Sequence, residues 1–173
     1  FFNTEFGDSN FGVQGDIQYR NWNIMGDLEQ LLLRGGMTYS PENANIRFTL
    51  GYGNITTGAY GDSDETVVEN RIYQEVLLPQ KVGNRFFLTH RYRYEQRFVD
   101  DQDFRTRFRY ALFMNVVLNQ QSLDKNAFYI ALYNELFING EKETGENLEV
   151  DLFDRNRTYF GLGYGITDKL RVQ

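Results

Sequence analysis

Apolar and polar residues alternate one by one over long stretches of this chain, most sharply between Arg85 and Val117. Arg91, Arg93, Glu95 and Arg97 share one parity, and Tyr92, Tyr94, Gln96 and Phe98 share the other. After a polar break at Val99-Asp100-Asp101-Gln102-Asp103, Arg105, Arg107 and Arg109 oppose Phe104, Thr106, Phe108 and Tyr110. Successive side chains of a strand point to opposite faces, so the pattern predicts an antiparallel hairpin with one charged and one aromatic face. A helical period would scatter the arginines around a cylinder. The apolar parity runs on through Leu112, Met114 and Val116. That predicts a strand of about a dozen residues, closer to the roughly 9–11 that cross a bilayer than to the 5–6 usual in soluble sheets.

The same alternation recurs at 11–20, 27–40, 45–55, 66–78, 126–138 and 155–166, and a further strand begins at 170–173. Residues 1–10 have no decisive pattern. Leu31-Leu32-Leu33 is also compatible with a helix, and Gly35-Gly36 predicts a bulge or bend in its strand. Between the strands, the connections at 41–44, 79–84 and 167–169 are short, that at 118–125 is moderate, and those at 56–65 and 139–154 are long. Short turns at one end and longer loops at the other are the habit of outer-membrane barrels. The expected structure is one domain spanning 1–173. It is all-β, an antiparallel up-and-down transmembrane β-barrel of about 8–10 strands, and the pattern stops part-way along the last of them, as a C-terminal truncation or a partly represented chain would.

Composition sharpens this picture only at a few points. The formal net charge of −6 argues against nucleic acid as a partner despite the local arginines. No apolar run approaches the roughly 18 residues of a membrane helix. A mean hydropathy of −0.55 is compatible with a barrel, because only every second strand residue meets lipid. The chain has no cysteine, which removes disulfides and thiolate chemistry, and only two prolines, which suits long ladders. Trp22, the only tryptophan, suits either a membrane interface or the cap of a core.

If the apolar faces point outward, the opposite faces bring Glu69, Arg71, Glu75, Arg91, Arg93, Glu95, Arg97, Arg105, Arg107, Arg109, Glu135 and Arg157 into a lumen. Barrels of about eight strands have interiors filled by side chains. Unpaired buried charge is costly, so these residues are expected to form a cross-linked arginine–glutamate network that plugs the lumen. An arginine-lined anion pore would need a wider barrel.

The run His90-Arg91-Tyr92-Arg93-Tyr94-Glu95-Gln96-Arg97-Phe98, with Arg105-Thr106-Arg107-Phe108-Arg109-Tyr110, resembles the family known as domain of unknown function 2490. Gly51-Tyr52-Gly53, Glu69-Asn70-Arg71 and Leu170-Arg171-Val172-Gln173 are similar to that family as well. The resemblance runs from about Gln18 onward and implies an outer-membrane barrel of Bacteroidota and their relatives, in the outer membrane of a Gram-negative bacterium. It implies no established activity and no catalytic residues. Members are expected to continue past Gln173 to an aromatic terminus.

The sequence carries no recognisable catalytic or cation-binding motif. A lipid-modifying hydrolase needs a nucleophile and a base in reach. The one histidine, His90, shares the outward parity of Tyr92 and Tyr94, and Ser9, Ser40, Ser63 and Ser122 fall in turns or loops. Asp62, Asp64 and Glu65, or Glu141 and Glu143 to Glu146, offer oxygen ligands without the spacing of a known cation loop. The expectation is therefore no enzyme, no cofactor and no metal. The partners expected are membrane lipid and other outer-membrane proteins, with the chain a structural or accessory subunit of an envelope complex. The alternative is a soluble lipocalin-like carrier of an apolar ligand, which requires the apolar faces to point inward.

Overall fold

Ten antiparallel strands form one sheet in the order in which they occur along the chain. The computed structural model describes residues 2–22, 28–60, 65–146, 148–168 and 170–173. Its long strands are β2 (Phe11–Asn21), β3 (Leu28–Tyr39), β4 (Arg47–Gly58), β5 (Thr66–Val82), β6 (Phe86–Val99), β7 (Arg105–Val117), β8 (Phe128–Asn139) and β11 (Phe153–Gly165). Two short strands flank them, β1 (Phe2–Glu5) beside β2 and β12 (Arg171–Val172) beside β11. A separate two-stranded ribbon, β9 (Glu143–Gly145) with β10 (Leu148–Glu149), lies within the connection from β8 to β11. The tripled leucine at 31–33 is strand, held by ladders on both sides to Tyr19, Gln18 and Ile17 and to Thr56, Ile55 and Asn54.

Several boundaries differ from the sequence reading, each for a local reason. Residues 79–84 are not a turn. β5 runs through Pro79 to Val82, and the turn is 83–85, with Gly83 at a φ of 58°. Pro79 is tolerated because β4 has already ended: Arg47 pairs with Leu77, and beyond it the Pro79 carbonyl accepts from Asn45 Nδ2 at 2.6 Å. A residue's N–H and C=O point to the same side in a strand, so the missing donor also faces this vacated edge. No bulge occurs at Gly35-Gly36, where pairing to both neighbours is continuous; the irregularities of the main sheet lie at Arg20/Asn21 and Phe153/Arg155. The connection at 100–104 is short although it shares an end with 59–65 and 140–152. The difference in loop length between the two ends therefore rests mainly on 140–152.

The strands slide steadily past one another. A line drawn through paired residues from Tyr92 meets Val76, Phe48, Tyr39 and Phe11 on one side and Tyr110, Leu136 and Asn156 on the other. β2 lies wholly on one side of that line, and most of β11 lies on the other. This stagger is the tilt that a closed sheet requires. The edges are nevertheless not joined. Among the described residues no ladder connects β1 or β2 with β11 or β12, so the structure is a curled ten-stranded sheet rather than a sealed barrel.

The polarity of the sheet is inverted. Ile17, Met37, Leu50, Tyr52, Phe108, Phe160 and Leu162 are more than half exposed, whereas Asp16, Glu69, Glu75, Arg93, Glu95, Arg97, Arg107 and Glu135 are buried. Outward polar side chains pair with each other: Asn70 Oδ1 accepts from Tyr52 Oη and Asn54 Nδ2, and Asn134 Nδ2 donates to Asn156 and Thr158. On the inner face, large rings lie over glycines of the neighbouring strand. A Cβ at Gly51 would fall on the Tyr73 ring, and one at Gly163 on the Tyr129 ring. Gly51→Ala is therefore expected to cost about 1–3 kcal/mol in a denaturant titration, the usual range for overpacking. Gly35→Ala, with open space beside it, should stay within about 0.5 kcal/mol of the parent.

Candidate functional site

The inner face of β5 to β8 carries a continuous ion-pair network. Every second residue of these strands faces inward, and neighbouring strands place opposite charges side by side. Glu95, on β6 and 1 % exposed, is its hub. Its carboxylate accepts from Arg107 Nη2 at 2.7 Å and Arg109 Nη1 at 2.6 Å, with Arg93 and Arg71 at 3.6 and 3.7 Å. Glu135, on β8 and equally buried, takes Arg91 and Arg109 at 2.6 Å each and the Tyr133 hydroxyl. Glu75 holds Arg93 at 2.5 Å, while Glu69 holds Arg71 at 2.6 Å and also pairs with Arg97. Arg71 thus pairs with its own strand's Glu69 more closely than with Glu95, and not with Glu75.

Ten of the twelve residues expected in the lumen meet in this way, and two do not. Arg105 and Arg157 have no carboxylate within 4.0 Å among the described residues, and Arg105 Nε is buried without a hydrogen-bond partner. Arg105 opens β7, opposite Arg97, and Arg157 lies on the exposed β11. The structure adds four members. Asp16 and Arg34 pair at 2.8 Å between β2 and β3, and Asp154 on β11 reaches Arg107 at 3.3 Å and Arg155 at 3.2 Å. Asp16 and Arg34 were recoverable from sequence, since they share the polar parity of facing strands. Asp154 was not, because the irregularity at Phe153/Arg155 resets the parity.

Aromatic rings fill the space between the charges. Arg93 lies over Tyr73 at 4.4 Å, and Arg107, Arg109, Arg155 and Arg157 surround the buried Phe137 ring at 4.6–5.8 Å. Toward the turn at 118–127 the interior becomes apolar. Val117, Ala127, Tyr129 and Ala131 are buried there, with Phe87 and Leu123 packed against them.

The remaining sequence candidates sit apart from this interior. His90 faces outward and its Nδ1 is 2.9 Å from the Tyr110 hydroxyl. Ser63, Asp62 and Asp64 lie outside the described residues. Glu141 is engaged, accepting from the Thr106 amide and hydroxyl at 2.5 and 2.9 Å. No acidic or histidine cluster suited to a metal occurs among the described residues. Trp22 stacks edge-on to Tyr60, centroids 5.3 Å apart, at the end that carries the 59–65 connection. A family model described as protein of unknown function (DUF2490) matches residues 1–173. No curated protein and no solved structure matches the chain.

Proposed function

The chain belongs to this DUF2490 family, and from that premise we propose that it is an outer-membrane β-barrel of a Gram-negative bacterium with a charged, plugged lumen. In this reading it serves as a structural or accessory subunit of an envelope complex. The observation that carries the proposal is the inverted polarity of the sheet: buried arginines and glutamates inside, exposed phenylalanine, tyrosine, leucine and isoleucine outside. Lipid is the solvent in which such a wall is stable. The paired outward polar groups support it, since an unsatisfied group in hydrocarbon is costly. A carrier of an apolar ligand would need apolar side chains where the ion pairs lie, so the geometry favours it less. The network across the lumen and the apolar cluster beneath it favour a closed interior over a pore.

The test is fractionation of the native protein with and without detergent, then gel mobility before and after boiling. Extraction only by detergent, with a mobility shift on boiling, is the expected result, and planar bilayers should show no conductance steps. Solubility without detergent would overturn the proposal. Co-purification of other outer-membrane proteins tests the accessory role.

A further inference from the structure

We infer that the interior binds a phosphate-class dianion where the two edges of the sheet face each other. A cavity of about 440 Å³ is lined by residues of β2 through β8 and of β11. In a flat sheet, strands spaced about 4.8 Å apart would hold β2 and β11 far beyond the width of such a cavity. The edges therefore look at each other across it, with Arg20 contributed by β2 and Arg155 and Arg157 by β11.

The charge around this cavity does not balance. Nine arginines line it, against Glu69 and Glu135. Arg34 is taken by Asp16, Arg71 and Arg97 by Glu69, Arg91 and Arg109 by Glu135, and Arg107 by Glu95. Among the described residues the one carboxylate paired with Arg155 is Asp154, shared with Arg107, and the Arg155 side chain is half exposed. Arg20 has the neutral Gln18 amide oxygen at 3.3 Å, and Arg157, opposite a Glu135 already taken by other arginines, lies over the Phe137 ring; both are exposed to the cavity side and solvent. Two guanidinium groups with no carboxylate within 4.0 Å among the described residues thus come from opposite edges to one cavity. Each is a planar fork of donors suited to bidentate contact with an oxyanion. A carboxylate neutralises one of them; a phosphoryl group carries nearly two charges and enough oxygens to bridge both. Bound there, it joins β2 to β11 where the described residues form no backbone ladder.

The inference rests on the polar interior and not on lipid outside, so a chain that proves soluble without detergent leaves it standing. The test follows the thermal unfolding midpoint against sodium phosphate and against sodium chloride at matched ionic strength, in whichever medium keeps the chain folded. Phosphate should raise the midpoint saturably and chloride should not. In the Arg20→Gln/Arg157→Gln variant the apparent affinity should fall about tenfold or more, the weight of a charged hydrogen bond or two. Its midpoint in chloride should match or exceed the parent's, because two repelling cations are gone; a purely structural role would lower it. Phosphatidic acid in uncharged micelles separates the sources. If it stabilises the parent but not the variant while inorganic phosphate has no effect, the site takes a lipid headgroup. No stabilisation by either, or an undiminished response in the double variant, would overturn the inference.

Discussion

Glu95→Gln is expected to lower the unfolding free energy by about 3–5 kcal/mol, the cost of removing one partner from a buried ion-pair cluster. The carboxylate is 1 % exposed and lies within 4.0 Å of Arg71, Arg93, Arg107 and Arg109. The amide keeps the volume, so no cavity forms, but one buried negative charge among these four guanidinium groups disappears. Arg109 retains Glu135 and Arg93 retains Glu75. Among the described carboxylates Arg107 retains Asp154 alone, at 3.3 Å, so it carries most of the loss. Adding Arg107→Met should recover part of the stability, because residues in one network do not act additively. Urea unfolding in lipid vesicles, followed by the fluorescence of Trp22, measures both effects. The exposed Glu149→Gln serves as the control and should stay within about 0.5 kcal/mol. A cost below about 1 kcal/mol for Glu95→Gln would mean that water, not arginine, solvates this carboxylate.

The parity of β6 shows how much of this was legible beforehand. Tyr92, Tyr94 and Phe98 on one side and Arg93, Glu95 and Arg97 on the other leave no freedom about which residues share a face, since the period of a strand is two. Parity does not say which face is buried, and the exposure of the aromatic set answers that for this chain. Nor does it choose partners. Glu95 has arginines within reach on both neighbouring strands and on its own, and register decides among them. Strand ends are less legible still. Pro79 read as a turn because the early end of β4, which frees its edge, is a tertiary fact. Gly35-Gly36 read as a bulge, but Gly36 serves close approach instead: a Cβ there would sit 2.9 Å from the Leu50 carbonyl oxygen on β4. Arg157 shares the inward parity of its strand, which predicts a place in the network. It stays outside ion-pair reach because Glu135, opposite it on β8, is already held by Arg91, Arg109 and the Tyr133 hydroxyl.

Ile72→Arg separates the two environments for the outer wall more sharply than any interior change. Ile72 lies near the middle of β5, faces outward, is 40 % exposed and is flanked by Tyr52 on β4 and Gln96 on β6. If this wall meets hydrocarbon, an arginine near mid-depth should cost about 2–4 kcal/mol. The same substitution at Phe98, one residue from the end of β6 and similarly exposed, should cost only about 0–1 kcal/mol, because the head can reach the interface. If the wall meets water, each arginine should cost no more than the packing it removes, within about 0.5 kcal/mol of the alanine variant at the same position. The depth dependence is the informative part. Lost packing against Tyr52 would penalise Ile72→Arg in any solvent, so Ile72→Ala measures that component separately. An arginine cost that exceeds the alanine cost at Ile72, and vanishes at Phe98, is the signature of a bilayer. Equal costs for arginine and alanine at both positions would place this face against water or another protein, and the envelope proposal would fall with its lipid-facing wall.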